Sequence, residues 1–359
     1  LLEQKPFKFL VYTILIFTLI FLINLTGFVF YPVGRLIAAI AVPIIGAGFL
    51  FYITNPFVNL LEKYKVKRIF AVLIVFLVLI LIVFFSIYFI VPPLQEQFSR
   101  LVDNAPQMAT YFEDLFELWQ NRQEFIPASI EDSIQNVLDN FDSYAEAIMS
   151  SLFSFIGSFF SFVFSFVLIP FFLFFMLKDG QKFIPFISSF LSKSKADSLA
   201  VLLKNINITL ASFIQGQFFI SFCLGILLYI GYLIVGLNYA LMLAIFGLFM
   251  NMIPFVGPWI AAVPAIIIGF FQDPMIGVWT AVIMIVAQQL ESIISPNIMG
   301  KVLKIHPLTV LTLILTAGSI AGFIGLLFAV PAYAVARTIV NHFYLIYTNK
   351  RPFGKKNLF

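Results

Sequence analysis

The chain has 359 residues, of which 62% are hydrophobic and 11% charged, with a formal net charge of +4. Soluble domains carry about 45–50% apolar and ~25% charged residues, so this composition excludes one and indicates an all-α, polytopic transmembrane protein. The single cysteine, Cys223, excludes a disulfide framework or a thiolate metal site, and two histidines, His306 and His342, are too few for a histidine metal cluster.

In chain order, Lys5 and Lys8 precede an uncharged first span over residues 9–30. It is too long, and too poor in flanking small residues, to be a cleaved signal peptide. Pro32, Gly34 and Arg35 predict a short turn, and a second span returns over 36–53 with Pro43, Gly46 and Gly48 suited to close packing. Lys63, Lys65, Lys67 and Arg68, opposed only by Glu62, predict a cytoplasmic loop and a cytoplasmic N-terminus. The small positive charge thus reports loop anchoring, and no nucleic-acid partner is expected.

A third span over 69–91 ends at Pro92 and Pro93. Residues 94–150 then read as an extracytoplasmic arm of two amphipathic helices separated by Pro127, with Ser129 and Asp132 resembling a capping box. Asp103, Glu113, Asp114, Glu131 and Asp139 are among its many acids, against Arg100 and Arg122. The arm either docks a neighbouring subunit or covers its own spans. A fourth span over 151–177 leads to Lys178, and the segment holding Lys182, Lys193 and Lys195 is expected on the cytoplasmic membrane surface.

The fifth span, 208–235, carries Gln215 and Gln217. Next, 239–271 is apolar but punctuated by Pro254, Gly257, Pro258 and Pro264, so it must break or bend. A span over 275–294 follows with Gln288, Gln289 and Glu291, and then a second broken segment, 308–336, with Gly322, Gly325 and Pro331. Ala262-Val263-Pro264-Ala265 recurs as Ala329-Val330-Pro331-Ala332, each copy preceded by an apolar half-segment and a glycine-containing break. We read this as an internal repeat, since paired interrupted segments are the mark of repeat-built transporters. Two topologies fit: both broken segments dip in and return, or both cross as bent helices. In total about eight membrane segments are expected, two of them broken or re-entrant. The divisions are 1–93 for the first spans, 94–150 for the arm, 151–207 for the fourth span and amphipathic segment, 208–347 for a transport core with the repeat inverted, and 348–359 for a basic cytoplasmic tail.

Broken backbone at membrane depth is tolerated only in protein or beside a water-filled cavity, where transporters hold their cargo. Glu291 is the candidate proton or ion coupling group, because an ionisable side chain among apolar neighbours is expensive to keep. The plainer reading is an interfacial glutamate paired with Lys301 or Lys304. Gln288 lies on the same helical face three residues earlier, and Gln289, Gln215, Gln217 and Asn251 are further candidates for a solute or a dehydrated cation. Each amide could equally join helix to helix. No phosphate loop, His-Glu-x-x-His or Gly-x-Ser-x-Gly motif occurs, so neither an enzyme nor a cofactor is expected.

The stretch Ile253-Pro254-Phe255-Val256-Gly257-Pro258, Glu291 followed by Pro296 and Gly300, His306-Pro307, and Gly322 to Gly325 leading into Val330-Pro331 resemble the autoinducer-2 exporter family. The likeness extends over almost the whole chain. It implies a bacterial cytoplasmic-membrane transporter, a homo-oligomer, that exports a furanone-type quorum signal or exchanges sodium or lithium for protons. A non-transporting scaffold using the acidic arm is the reading from a different class.

Overall fold

A computed structural model describes residues 5–120, 168–299 and 305–348, which are helical almost throughout and contain no strand. The helices are α1 (Lys5–Leu25), α2 (Gly27–Lys63), α3 (Arg68–Phe85), α4 (Val91–Gln120), α5 (Leu168–Ser188), α6 (Lys193–Val235), α7 (Ala240–Met250), α8 (Gly257–Gln272), α9 (Pro274–Met299) and α10 (Pro307–Tyr347). Among the described residues, five stretches are long and apolar enough to cross a membrane: Pro43–Lys63, Arg68–Asn104, Lys193–Val235, Pro274–Ser295 and Leu308–Tyr347. The polytopic all-helical class therefore holds. The arm's second helix, residues 151–167, Lys301, Lys304 and the basic tail lie outside the described residues.

One local expectation is corrected. Pro32, Gly34 and Arg35 lie inside α2, and the interruption falls at Thr26, whose N–H still bonds the Leu22 carbonyl at 2.9 Å. Proline bends a helix by removing one donor, but among apolar side chains a full turn would expose several backbone groups, so the helix continues. A π-helical turn at Ser86–Ile90 joins α3 to α4, so the third span runs without reversal into the arm.

Two packed bodies result. Ala47, Val58, Ala71, Val72, Ile169 and Leu173 unite α2, α3 and α5. At one end of this body Arg68 donates Nε to the carbonyls of Leu177 (2.7 Å) and Lys178 (3.2 Å) and Nη1 to Glu62 (2.9 Å). Beside it Lys182 hydrogen-bonds Asp179 at 2.7 Å, and that bond holds the Asp179 carboxyl below its ordinary range. Arg68→Ala should cost about 1.5–3 kcal/mol, because it removes charge-assisted bonds that a largely buried guanidinium makes to two carbonyls and to Glu62. Arg68→Lys should recover little, since an ammonium lacks the fork; thermal unfolding in detergent reads both.

The second body is α6 with α7, α8 and α9, packed around Leu224, Leu228, Tyr232, Leu243, Ala261, Ala265 and Met284. Helices α7 and α8, of 11 and 16 residues, are about 16 and 24 Å long, short of the ~30 Å a span needs. They form a hairpin instead. The Gln272 side chain at the end of α8 bonds the Gly236 carbonyl (2.9 Å) and the Asn238 N–H (2.8 Å), just before α7 begins. Both ends of this first hairpin therefore meet, and its tip is 251–256.

Helix α10 is also two rods. Ala321 and Gly322 leave helical geometry, with Gly322 at φ 56° and ψ −138°, a conformation only glycine adopts freely. A Cβ on Gly318 would touch Leu326, and Val310, Ile314 and Ala317 pack in one cluster with Leu326, Ala329 and Val330. Residues 314 and 329 of a straight helix would lie about 22 Å apart. The halves 307–320 and 323–347 thus fold back on each other as a second hairpin.

Candidate functional site

The hairpins meet. Ile253, from the first tip, is wholly buried among Val310, Ile314, Ala329 and Val330 of the second hairpin and Phe213 and Ile214 of α6. Phe49, Tyr52 and Ile53 of α2 close the cluster from the other body, and Gln215 donates Nε2 to the Tyr52 carbonyl at 2.8 Å.

Both hairpins are tightened by the same device. A Cβ on Gly257 would run into the carbonyl of Met250, and one on Gly325 into the carbonyl of Ala317. In each case a glycine of the outgoing helix sits against a late carbonyl of the incoming one. These two glycines are one residue out of register with the Ala-Val-Pro-Ala alignment, since Gly257 stands five residues before Ala262 and Gly325 four before Ala329. At the first break Phe255 adopts φ 65°, between Pro254 and Pro258.

Polar groups gather beside the first tip. Gln217 is buried and donates Nε2 to the Asn251 backbone carbonyl at 2.6 Å. The Asn251 side chain is fully buried, its Nδ2 reaches the Ser221 hydroxyl at 3.4 Å, and its Oδ1 has no hydrogen-bond partner. A buried amide oxygen left unpaired costs about 1–3 kcal/mol, so its persistence asks for an explanation. Next to it, Phe49, Phe213, Gln217, Met252, Leu327, Phe328 and Pro331 line a crevice of about 10 Å³. That is room for about one water.

The predicted site residues divide into three groups. Gln217, Asn251, Pro254, Gly257, Pro258, Gly325 and Pro331 lie at or beside the junction, while Gly322 forms the second tip and Pro264 sits within α8. Gln215 serves the joint to α2. Gln288, Gln289 and Glu291 lie on α9, where Gln289 is exposed and Gln288 and Glu291 are half-buried. Among the described residues none of these three side chains has a hydrogen-bond or ion-pair partner, and Lys301 and Lys304 lie outside them. Helices α6 and α9 run antiparallel with Gly231 against Ile283, which carries Glu291 to the depth of Ser221. Ser221 is the residue that inspection of the sequence missed. Its signal is its place four residues after Gln217, on the same helical face.

Comparison with known proteins places these features in a family. The profile described as AI-2E family transporter matches residues 12–345. YueF of Bacillus subtilis, a transport protein by name, is 34% identical over 94% of this chain and 93% of its own length. PerM of Escherichia coli, a permease by name, is 25% identical over 90% of this chain and 91% of its own. The sodium-lithium/proton antiporter of Halobacillus andaensis is 22% identical over 84% of this chain and 89% of its own.

Proposed function

The chain belongs to the AI-2E transporter family, and from that premise we propose a gradient-driven secondary transporter that exports a small polar solute of the autoinducer-2 type through the hairpin junction. The family is one of transporters and permeases, and the apolar helices place the chain in a lipid bilayer. The observation that carries the reading is the unpartnered, fully buried Asn251 Oδ1 at the tip of a broken hairpin, where it meets a second hairpin of the same build. An amide oxygen, a hydroxyl and opened backbone carbonyls are ligands suited to a hard cation. Glu291, at the same depth on the neighbouring helix, carries the proton exchanged for it. The basic loops support a cytoplasmic position for both termini, and the family resemblance supports a homo-oligomer.

A crevice of about 10 Å³ is too small for a furanone, so export requires the hairpins to part. The same smallness favours a second reading, antiport of Na+ or Li+ against H+, the activity named for the Halobacillus relative. Proteoliposomes distinguish them. Sodium-dependent proton release without added solute supports antiport, whereas proton-coupled efflux of a loaded solute supports export. Glu291→Gln should lower pH-dependent flux at least tenfold in either case; a loss of 1.4 kcal/mol of coupling already produces that factor. Unchanged flux removes Glu291 as the coupling group, whereas no flux in the parent protein leaves the scaffold reading standing.

A further inference from the structure

The arm helix α4 does more than leave the membrane: it grips the start of the first hairpin. Helix α7 begins at Ala240 after Tyr239, which has φ 60° and offers no side-chain cap. Its first-turn N–H groups therefore lack local partners. One is satisfied from outside, since Gln97 of α4 accepts from the Met242 N–H at 3.0 Å. A turn or two along the same helix, Asn104 donates to the Tyr239 hydroxyl at 2.9 Å, and that hydroxyl reaches the Arg100 carbonyl at 3.4 Å. Leu101, between them, packs on the core that contains Leu237, Ala240 and Leu243. Three consecutive turns of the arm thus hold the base of the hairpin whose tip bears Asn251.

The base also packs on α6 and α9 through Leu237, Ala240 and Leu243, and Gln272 ties the end of α8 to Gly236, the C-cap of α6, and to Asn238. The arm supplies the polar hold from outside this body. On the other side of the grip the arm passes into α3 through the π-helical turn at Ser86–Ile90, a local irregularity of the kind at which helices bend. We infer that α4 is a latch: its Gln97 and Asn104 contacts hold the first hairpin in the packed position that closes the junction crevice, and swinging the arm about the π-turn lets the tip move. This rests on the geometry of α4 and α7 and is independent of which solute or ion is carried.

The test uses the full chain in nanodiscs with Cys223→Ala and a reporter, Met252→Cys, at the crevice wall, read by the rate of reaction with a water-soluble maleimide. Gln97→Ala with Asn104→Ala should raise the labelling rate about tenfold, the factor that one lost cap and one lost hydrogen bond correspond to. Gln97→Glu keeps the acceptor and adds a charge favourable at a helix N-terminus, so it should label at the parent rate or about twofold slower. Equal labelling of parent and double-alanine protein would overturn the latch, and so would an increase in Gln97→Glu. Should the double-alanine protein fail to fold, the Gln97→Glu comparison decides alone: acceleration sinks the proposal. Because the readout is thiol reactivity, its failure is distinct from failure of the transport reading.

Discussion

Gly257→Ala and Gly325→Ala are each expected to abolish transport in proteoliposomes and to lower stability by about 1–3 kcal/mol, the ordinary range for overpacking, with larger side chains costing more. The added methyl would overlap a backbone carbonyl oxygen in both hairpins, that of Met250 in the first and that of Ala317 in the second. A backbone atom cannot move aside as a flexible side-chain end does, so the outgoing helix must shift. That shift is amplified at the junction, because Ile253 and Val330, both wholly buried, pack in the cluster the two hairpins share. Neighbouring glycines provide the control. Gly225 and Gly231 face only the side chains of Leu248 and Ile283, so alanine there should cost less and leave flux measurable. Equal loss at all four positions would mean that general packing, and not the hairpin geometry, explains the effect.

Asn251→Leu should give the opposite pairing of effects: flux falls by at least tenfold while the unfolding midpoint stays level or rises. The native side chain makes one long contact to Ser221 and leaves Oδ1 unpaired in a buried place. Replacing an unsatisfied polar group by an apolar one of similar volume removes a desolvation cost of about 1–3 kcal/mol, which outweighs the weak bond given up. If Asn251 were only a structural link, its loss would instead lower stability and leave flux in the surviving protein unchanged. Ser221→Ala should fall between, since it removes the partner of Nδ2 without touching Oδ1. Measurement of both midpoint and flux on each variant separates a site that was kept for function from one kept for packing.

Much of the fold was legible in the sequence because hydrocarbon allows so few solutions. An uncharged stretch of sufficient length becomes a helix, and Pro254, Gly257 and Pro258 in one such stretch, with Gly322 and Gly325 in another, can only mark breaks. The turn expected at Pro32 to Arg35 was not formed, because a proline alone does not decide whether a helix ends or continues. At the site, Gln217 and Asn251 could be named from their polarity in apolar segments, but their mutual bond and the added Ser221 could not. The role of Gln97 was equally hidden, since a cap supplied from 145 residues away leaves no local pattern.

The sequence by itself determined that this is a helical membrane chain with two interrupted segments and an amphipathic arm, since periodicity, charge and backbone chemistry are local properties. Only the tertiary structure decided that both segments fold back, that the first tip packs between the arms of the second hairpin, and that Asn251 Oδ1 beside that tip is left without a partner. The physical reason is that direction and pairing of helices depend on contacts between residues far apart in the chain. Whether a glycine marks a bend or a reversal is settled by the carbonyl packed against it.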